Sequence, residues 1–135
     1  MKLKVTFDEI IEQVQKRFHV APTLKMVDYK TIEASYKPMP FIKVALTIKV
    51  LEIHNDGLTL KYDAGTATMM MLQGAIELVK EHLPEFVTIN DSAKTICINA
   101  SKIEKADKML EMLQLKDVCF DADGVDIELK LKQLC

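Results

Sequence analysis

Glycine is scarce in this chain: four among 135 residues, at positions 57, 65, 74 and 124. Two of the four stand in Asp-Gly pairs, and no GxGxxG, Walker A, GxSxG or HExxH pattern occurs, so a backbone cradle for phosphate is not expected. Cysteine is as sparse. Cys97, Cys119 and Cys135 are widely spaced, with no CxxC and no Cys-His ligand spacing, which reads as reduced structural thiols in a cytosolic protein. Blocks of like charge are missing too. Eighteen basic and twenty acidic residues are interspersed for a net charge of −2, which gives no bulk attraction to nucleic acid or anionic lipid. The nearest basic cluster is the dipeptide Lys16-Arg17, and the tyrosines are not interleaved with Lys or Arg as a base-stacking platform. No apolar segment resembles a signal peptide. The longest uncharged stretch, Ala64 to Ile76, has 13 residues and falls short of the ~30 Å of a bilayer core. A soluble cytoplasmic protein without a transmembrane segment is expected.

What is present is apolar. Hydrophobic residues make up 49% of the chain and charged residues 28%, the balance of one globular domain spanning residues 1–135, long enough to bury about 70% of its unfolded surface. Thr6 and Glu9 spell a capping box, with Val5 and Ile10 placed as a hydrophobic staple, and the helix they open ends near His19 before Pro22. Residues 23–36 alternate as one strand or two pieces, with a parity slip near Val27 that suggests a bulge. Lys37-Pro38-Met39-Pro40 reads as a turn, because two prolines do not fit a central ladder. Phe41 to Ile53 is a long strand whose apolar parity switches near Val50-Leu51. Asp56-Gly57 then closes a hairpin, with Ile53 opposite Leu60 and Leu51 opposite Tyr62.

The organising stretch is residues 64–86, AGTATMMMLQGAIELVKEHLPEF, apolar at helical spacing over most of its girth and stopped by Pro84. Val87–Ile89 and Thr95–Asn99 pair as short strands around an Asn90-Asp91-Ser92 turn. Ser101 and Glu104 form a second capping box. A last hairpin at Asp123-Gly124 sets Phe120 opposite Ile127, Val118 opposite Leu129 and Cys119 opposite Glu128. The expected fold is α+β: a curved antiparallel sheet of long strands and hairpins wrapped around a central apolar helix, with two further amphipathic helices.

Catalytic constellations do not assemble. His19 and His82 sit at helix ends, His54 on the outer side of a hairpin, and neither Cys97 nor Cys119 has a base or cation placed to activate it. The acidic turn Asp121, Asp123, Asp126 has Cys119 and Lys130 where a calcium loop needs oxygen ligands. No enzyme, metal or cofactor is expected. The methionines remain, with Met69, Met70 and Met71 consecutive. They either plug an irregular core or line an adaptable apolar cavity.

The tail Leu113 to Leu131, LQLKDVCFDADGVDIELKL, and the similar Ile48 to Tyr62 resemble the helix-end, strand, Asp-Gly, strand ending of small bacterial relatives of the tubular lipid-binding (TULIP) superfamily. That resemblance, to one half-barrel module, implies binding of an apolar ligand between helix and sheet without catalysis. The sequence reading is therefore a non-enzymatic domain that holds a lipid or other hydrophobic molecule against Met69, Met70, Met71, Leu72, Ile76, Leu46 and Ile48. The competing reading is an interaction module whose apolar surface is covered in a homodimer or by a partner protein.

Overall fold

A computed structural model of the protein describes residues 1–64, 80–81, 83–103 and 111–131. Nine strands are described: β1 Lys2–Thr6, β2 Thr23–Asp28, β3 Thr31–Met39, β4 Ile42–His54, β5 Gly57–Asp63, β6 Val87–Asn90, β7 Thr95–Asn99, β8 Leu113–Phe120 and β9 Gly124–Leu131. One α-helix, α1 Phe7–Phe18, and one short 3-10 turn, Ala100–Lys102, accompany them. Every pairing among the described strands is antiparallel. They build a three-stranded sheet in the order β1-β9-β8 and a six-stranded sheet in the order β2-β3-β4-β5-β7-β6.

This corrects the expected wrapping of a curved sheet around a central apolar helix with two further helices. Among the described residues the apolar faces of the two sheets are covered by each other and by α1. The core cluster joins Phe7 of α1, Ile32 of β3, Val50 of β4, and Val118 and Phe120 of β8. Backbone bonds stitch the sheets at their turns: the N–H of Leu115 donates to Asn55 O at 2.9 Å and that of Phe120 to Tyr29 O at 2.8 Å. Of the stretch expected to be the central helix, residues 65–79 and 82 lie outside the described residues.

Local signals behave as chemistry dictates. Thr6 caps α1 in a full capping box with Glu9, and His19 ends it in the left-handed region at φ 58°. The bulge near Val27 is there, between Met26 and Asp28, and a turn at Tyr29-Lys30 divides the segment into two strands of one hairpin. The long strand β4 is there as well, with its irregularity between Val50 and Glu52. Lys37–Pro40 is not wholly a turn: β3 continues to Met39, its pairing with β4 irregular between Tyr36 and Met39. Pro38 is tolerated because β2 pairs with β3 only as far as Ser35, so no ladder bond on that side is lost.

Both Asp-Gly hairpins differ from expectation in the same way. His54 pairs with Gly57 and Ile53 with Leu58, while Phe120 pairs with Val125 and Val118 with Ile127. Each register is thus displaced by two residues, because each glycine begins a strand instead of forming the turn. Leu51 becomes the bulged residue, 49% exposed. Neither glycine has a positive φ. What requires glycine is a third strand crossing close by: a Cβ on Gly57 would lie 2.0 Å from Ile98 O, and one on Gly124 2.3 Å from Val5 O.

The two hairpins belong to equivalent three-stranded units. Gly57 pairs with Asn99 at the end of β7, and Gly124 with Thr6 at the end of β1. Asn99 and Thr6 each cap the helical turn that follows. The first residue of each turn donates to the aspartate before the glycine: Ala100 N to Asp56 O at 2.7 Å, and Phe7 N to Asp123 O at 2.9 Å. Asn99 caps the 3-10 turn, its side chain accepting the Ser101 N–H at 3.0 Å; Glu104 of the expected second capping box, and the helix it was to open, lie outside the described residues.

Candidate functional site

The two sheets do not close fully on each other. Between them lies a half-enclosed cavity of about 490 Å³ whose described lining is wholly apolar. Its walls follow from strand parity. Leu3 and Val5 of β1 pair with Ile127 and Val125 of β9, and all four face inward. On β8, Leu115 and Val118 would point to opposite faces of a regular strand. The irregularity between Leu115 and Asp117 turns both toward the cavity. The opposite wall is Ile32 of β3, Ile48 of β4, Leu58 and Leu60 of β5 and Ile98 of β7, with Ile10 of α1 and Ile103 adding to the lining.

Well-packed interiors contain few voids larger than a water molecule, so an opening of this size is unusual. Its volume falls within the ~300–1,000 Å³ of small-molecule sites. With no hydrogen-bonding group on its described walls, it offers water nothing and apolar matter everything.

Of the residues singled out from sequence, Ile48 lines this cavity. Leu46 does not. It borders a separate shallow depression with Glu33, Ala45, Thr47, Asp63 and Ala64. Met69, Met70, Met71, Leu72 and Ile76 lie outside the described residues. The sequence reading found the β8–β9 hairpin but placed none of its residues, and none of β1, in the site, although the alternation of Leu3 and Val5 between lysines is a legible strand signal.

Polar chemistry sits on the outer faces. Lys4 reaches Asp121 at 2.6 Å and Asp126 at 4.0 Å. The hydrogen bond from Lys4 holds the Asp121 carboxyl well below the usual carboxylate range, while hydrogen bonding with Asp121 pushes Asp126 up. Lys4 thus bridges these two aspartates. Asp121 Oδ1 also accepts the N–H groups of Asp123 at 2.7 Å and Gly124 at 2.9 Å, which spends it on the turn. Among the described residues no three His, Cys, Asp or Glu side chains converge as metal ligands. Cys119 stands opposite Asp126, not Glu128. Burial, and then its bond to Asp117, raise its thiol pKa, which disfavours the thiolate. His54 shares a contact with Thr59 at 3.2 Å on the exposed side of its hairpin. No helix of the described residues is long and apolar enough to cross a membrane.

Comparison with known protein families, characterised proteins and solved structures returns no match.

Proposed function

We propose that the protein is a non-enzymatic binder of a hydrophobic small molecule or lipid chain, held between its two sheets. One observation carries this reading: a cavity of about 490 Å³ with an entirely apolar described lining. Burying an apolar chain there would remove both surfaces from water at about 25 cal/mol per Å². The described walls supply no acid, base or nucleophile, so binding without reaction is the chemistry they support. The sequence resemblance of residues 113–131 to the tubular lipid-binding superfamily implies the same kind of ligand.

The test is titration with a fluorescent fatty acid, alongside native mass spectrometry for carried adducts. Ile98→Phe adds a ring to the cavity wall and should weaken binding at least about tenfold while leaving the fold intact, since voids accept added volume. Equal binding by wild type and Ile98→Phe would sink the cavity reading.

A partner-protein reading has its own support in Val27 of the edge strand β2 and Tyr29 of the turn that follows it, 55% and 64% exposed. A stable dimer on sizing that Tyr29→Ser dissolves would favour it.

A further inference from the structure

The β3–β4 hairpin outreaches its neighbours. β2 pairs with β3 only as far as Ser35, and β5 pairs with β4 only as far as Thr47, so residues 36–46 extend past both of these described strands. Val44 is buried within that extension, so its exposed part is the tip around Phe41. At its turn stands Phe41, 98% exposed, the most exposed of the large hydrophobic residues described. Lys37 and Lys43 flank it and are exposed, and Tyr36 is 38% exposed beside them. No acidic residue occurs between Glu33 and Glu52, while Lys37, Lys43 and Lys49 all fall in that interval. A chain with net charge −2 thus carries a purely cationic, aromatic-tipped projection.

We propose that this hairpin tip docks on the surface of an anionic lipid bilayer, with Phe41 inserted at the headgroup boundary and Lys37 and Lys43 on the phosphates. The shape selects this partner. A projecting tip with one large apolar side chain offers far less than the ~1,000 Å² that a specific protein interface needs. A bilayer accepts a wedge of any outline. Aromatic rings settle at its interface, and lysines beside them extend their stems while keeping the charge among the headgroups. The absence of bulk electrostatic attraction is no obstacle, because such contacts act within about a Debye length of the surface. The inference is independent of the cavity, since no hairpin-tip residue lines it.

The experiment is co-sedimentation with phosphatidylcholine vesicles, with and without phosphatidylserine. Wild type should partition onto the phosphatidylserine vesicles. Phe41→Ser should bind about tenfold more weakly, and Lys37→Ala and Lys43→Ala about fivefold more weakly each, with binding falling as salt rises. The chain has no tryptophan, so Phe41→Trp makes a single reporter whose emission should shift to the blue on phosphatidylserine vesicles. Unchanged thermal unfolding of Phe41→Ser would show that only the tip is altered. Equal partitioning of wild type and Phe41→Ser, or no spectral shift of the tryptophan variant, overturns the proposal. So does a wild-type dimer that Phe41→Ser converts to monomer, which would assign the tip to a second copy of the chain. Ile98→Phe should keep full vesicle binding, which separates failure of this inference from failure of the cavity.

Discussion

Lys30 and Asp117 are 87 residues apart in the chain and 2.5 Å apart in space. Lys30 leaves the β2–β3 turn to reach β8, where its ammonium also donates to Val118 O at 2.8 Å. Asp117 takes the Val118 N–H at 2.9 Å and the Cys119 thiol at 3.2 Å. One ion pair therefore clamps the two sheets beside the core residue Val118. Because the pair is partly exposed, a double-mutant cycle with Lys30→Met and Asp117→Asn should give a coupling of about 0.5–1 kcal/mol in urea unfolding.

The same pair sets a pH dependence. The hydrogen bond from Lys30 holds the Asp117 carboxyl below its ordinary 3.8. Burial lowers Lys30, but the bond and charge of Asp117 outweigh it and raise the ammonium above 10.5. A depressed carboxyl stabilises above its unfolded pKa and loses that contribution as pH falls through the folded value. A raised ammonium stabilises below its unfolded pKa and loses its contribution as pH rises through the folded value. The stability gap between wild type and Lys30→Met should thus stay level from about pH 5 to 9 and shrink below about pH 4. A gap undiminished in strong acid would refute the electrostatic account.

Gly57 and Gly124 should be intolerant of any side chain. The cost is steric, not torsional, since neither has a positive φ and each is crossed by a backbone carbonyl. Gly57→Ala and Gly124→Ala are each expected to lose at least about 2 kcal/mol. Comparable losses at both positions, read from urea midpoints, would confirm that the two units share one construction. A loss at only one would separate them.

Tyr62 is 3% exposed, and its buried hydroxyl has no hydrogen-bond partner among the described residues. Burial, and then the charge of Asp91, push the phenol above 10.0, against the opposing pull of Lys80. A buried hydroxyl without a partner costs free energy that its deletion returns. Tyr62→Phe should therefore raise stability by about 1 kcal/mol in thermal or urea unfolding. A clear destabilisation would mean that the hydroxyl finds a partner in solution.

Local features were legible because their causes are local. The Thr6–Glu9 box, the His19 terminus, the bulges at Val27 and near Leu51 and the strands at Val87 and Thr95 each depend on a few neighbouring side chains. The hairpin registers were not. An Asp-Gly pair fits a tight turn, which wants positive φ, and equally fits a strand start where another strand crosses. Only the position of β7 beside Gly57, and of β1 beside Gly124, decides between them. The cavity was hidden for the same reason. Ile48 could be placed on an inner face from alternation, but its opposite wall comes from β1, β8 and β9, whose meeting is a matter of long-range pairing.

The pairing of β1 with β9, Lys2 opposite Glu128, has a consequence for how the chain emerges. Residues 23–99 contain every strand of the six-stranded sheet and can begin to pair during synthesis. The three-stranded sheet must wait until β9 has been made, leaving β1 to bridge almost the entire sequence. Loop closure over that separation is slow. Until it happens, the inner face of the larger sheet lacks the cover of β1, β8 and β9, and Ile32, Val50 and Leu60 are without part of their packing. An apolar molecule or chaperone present at that moment would meet one wall of the cavity before the protein had finished building the other.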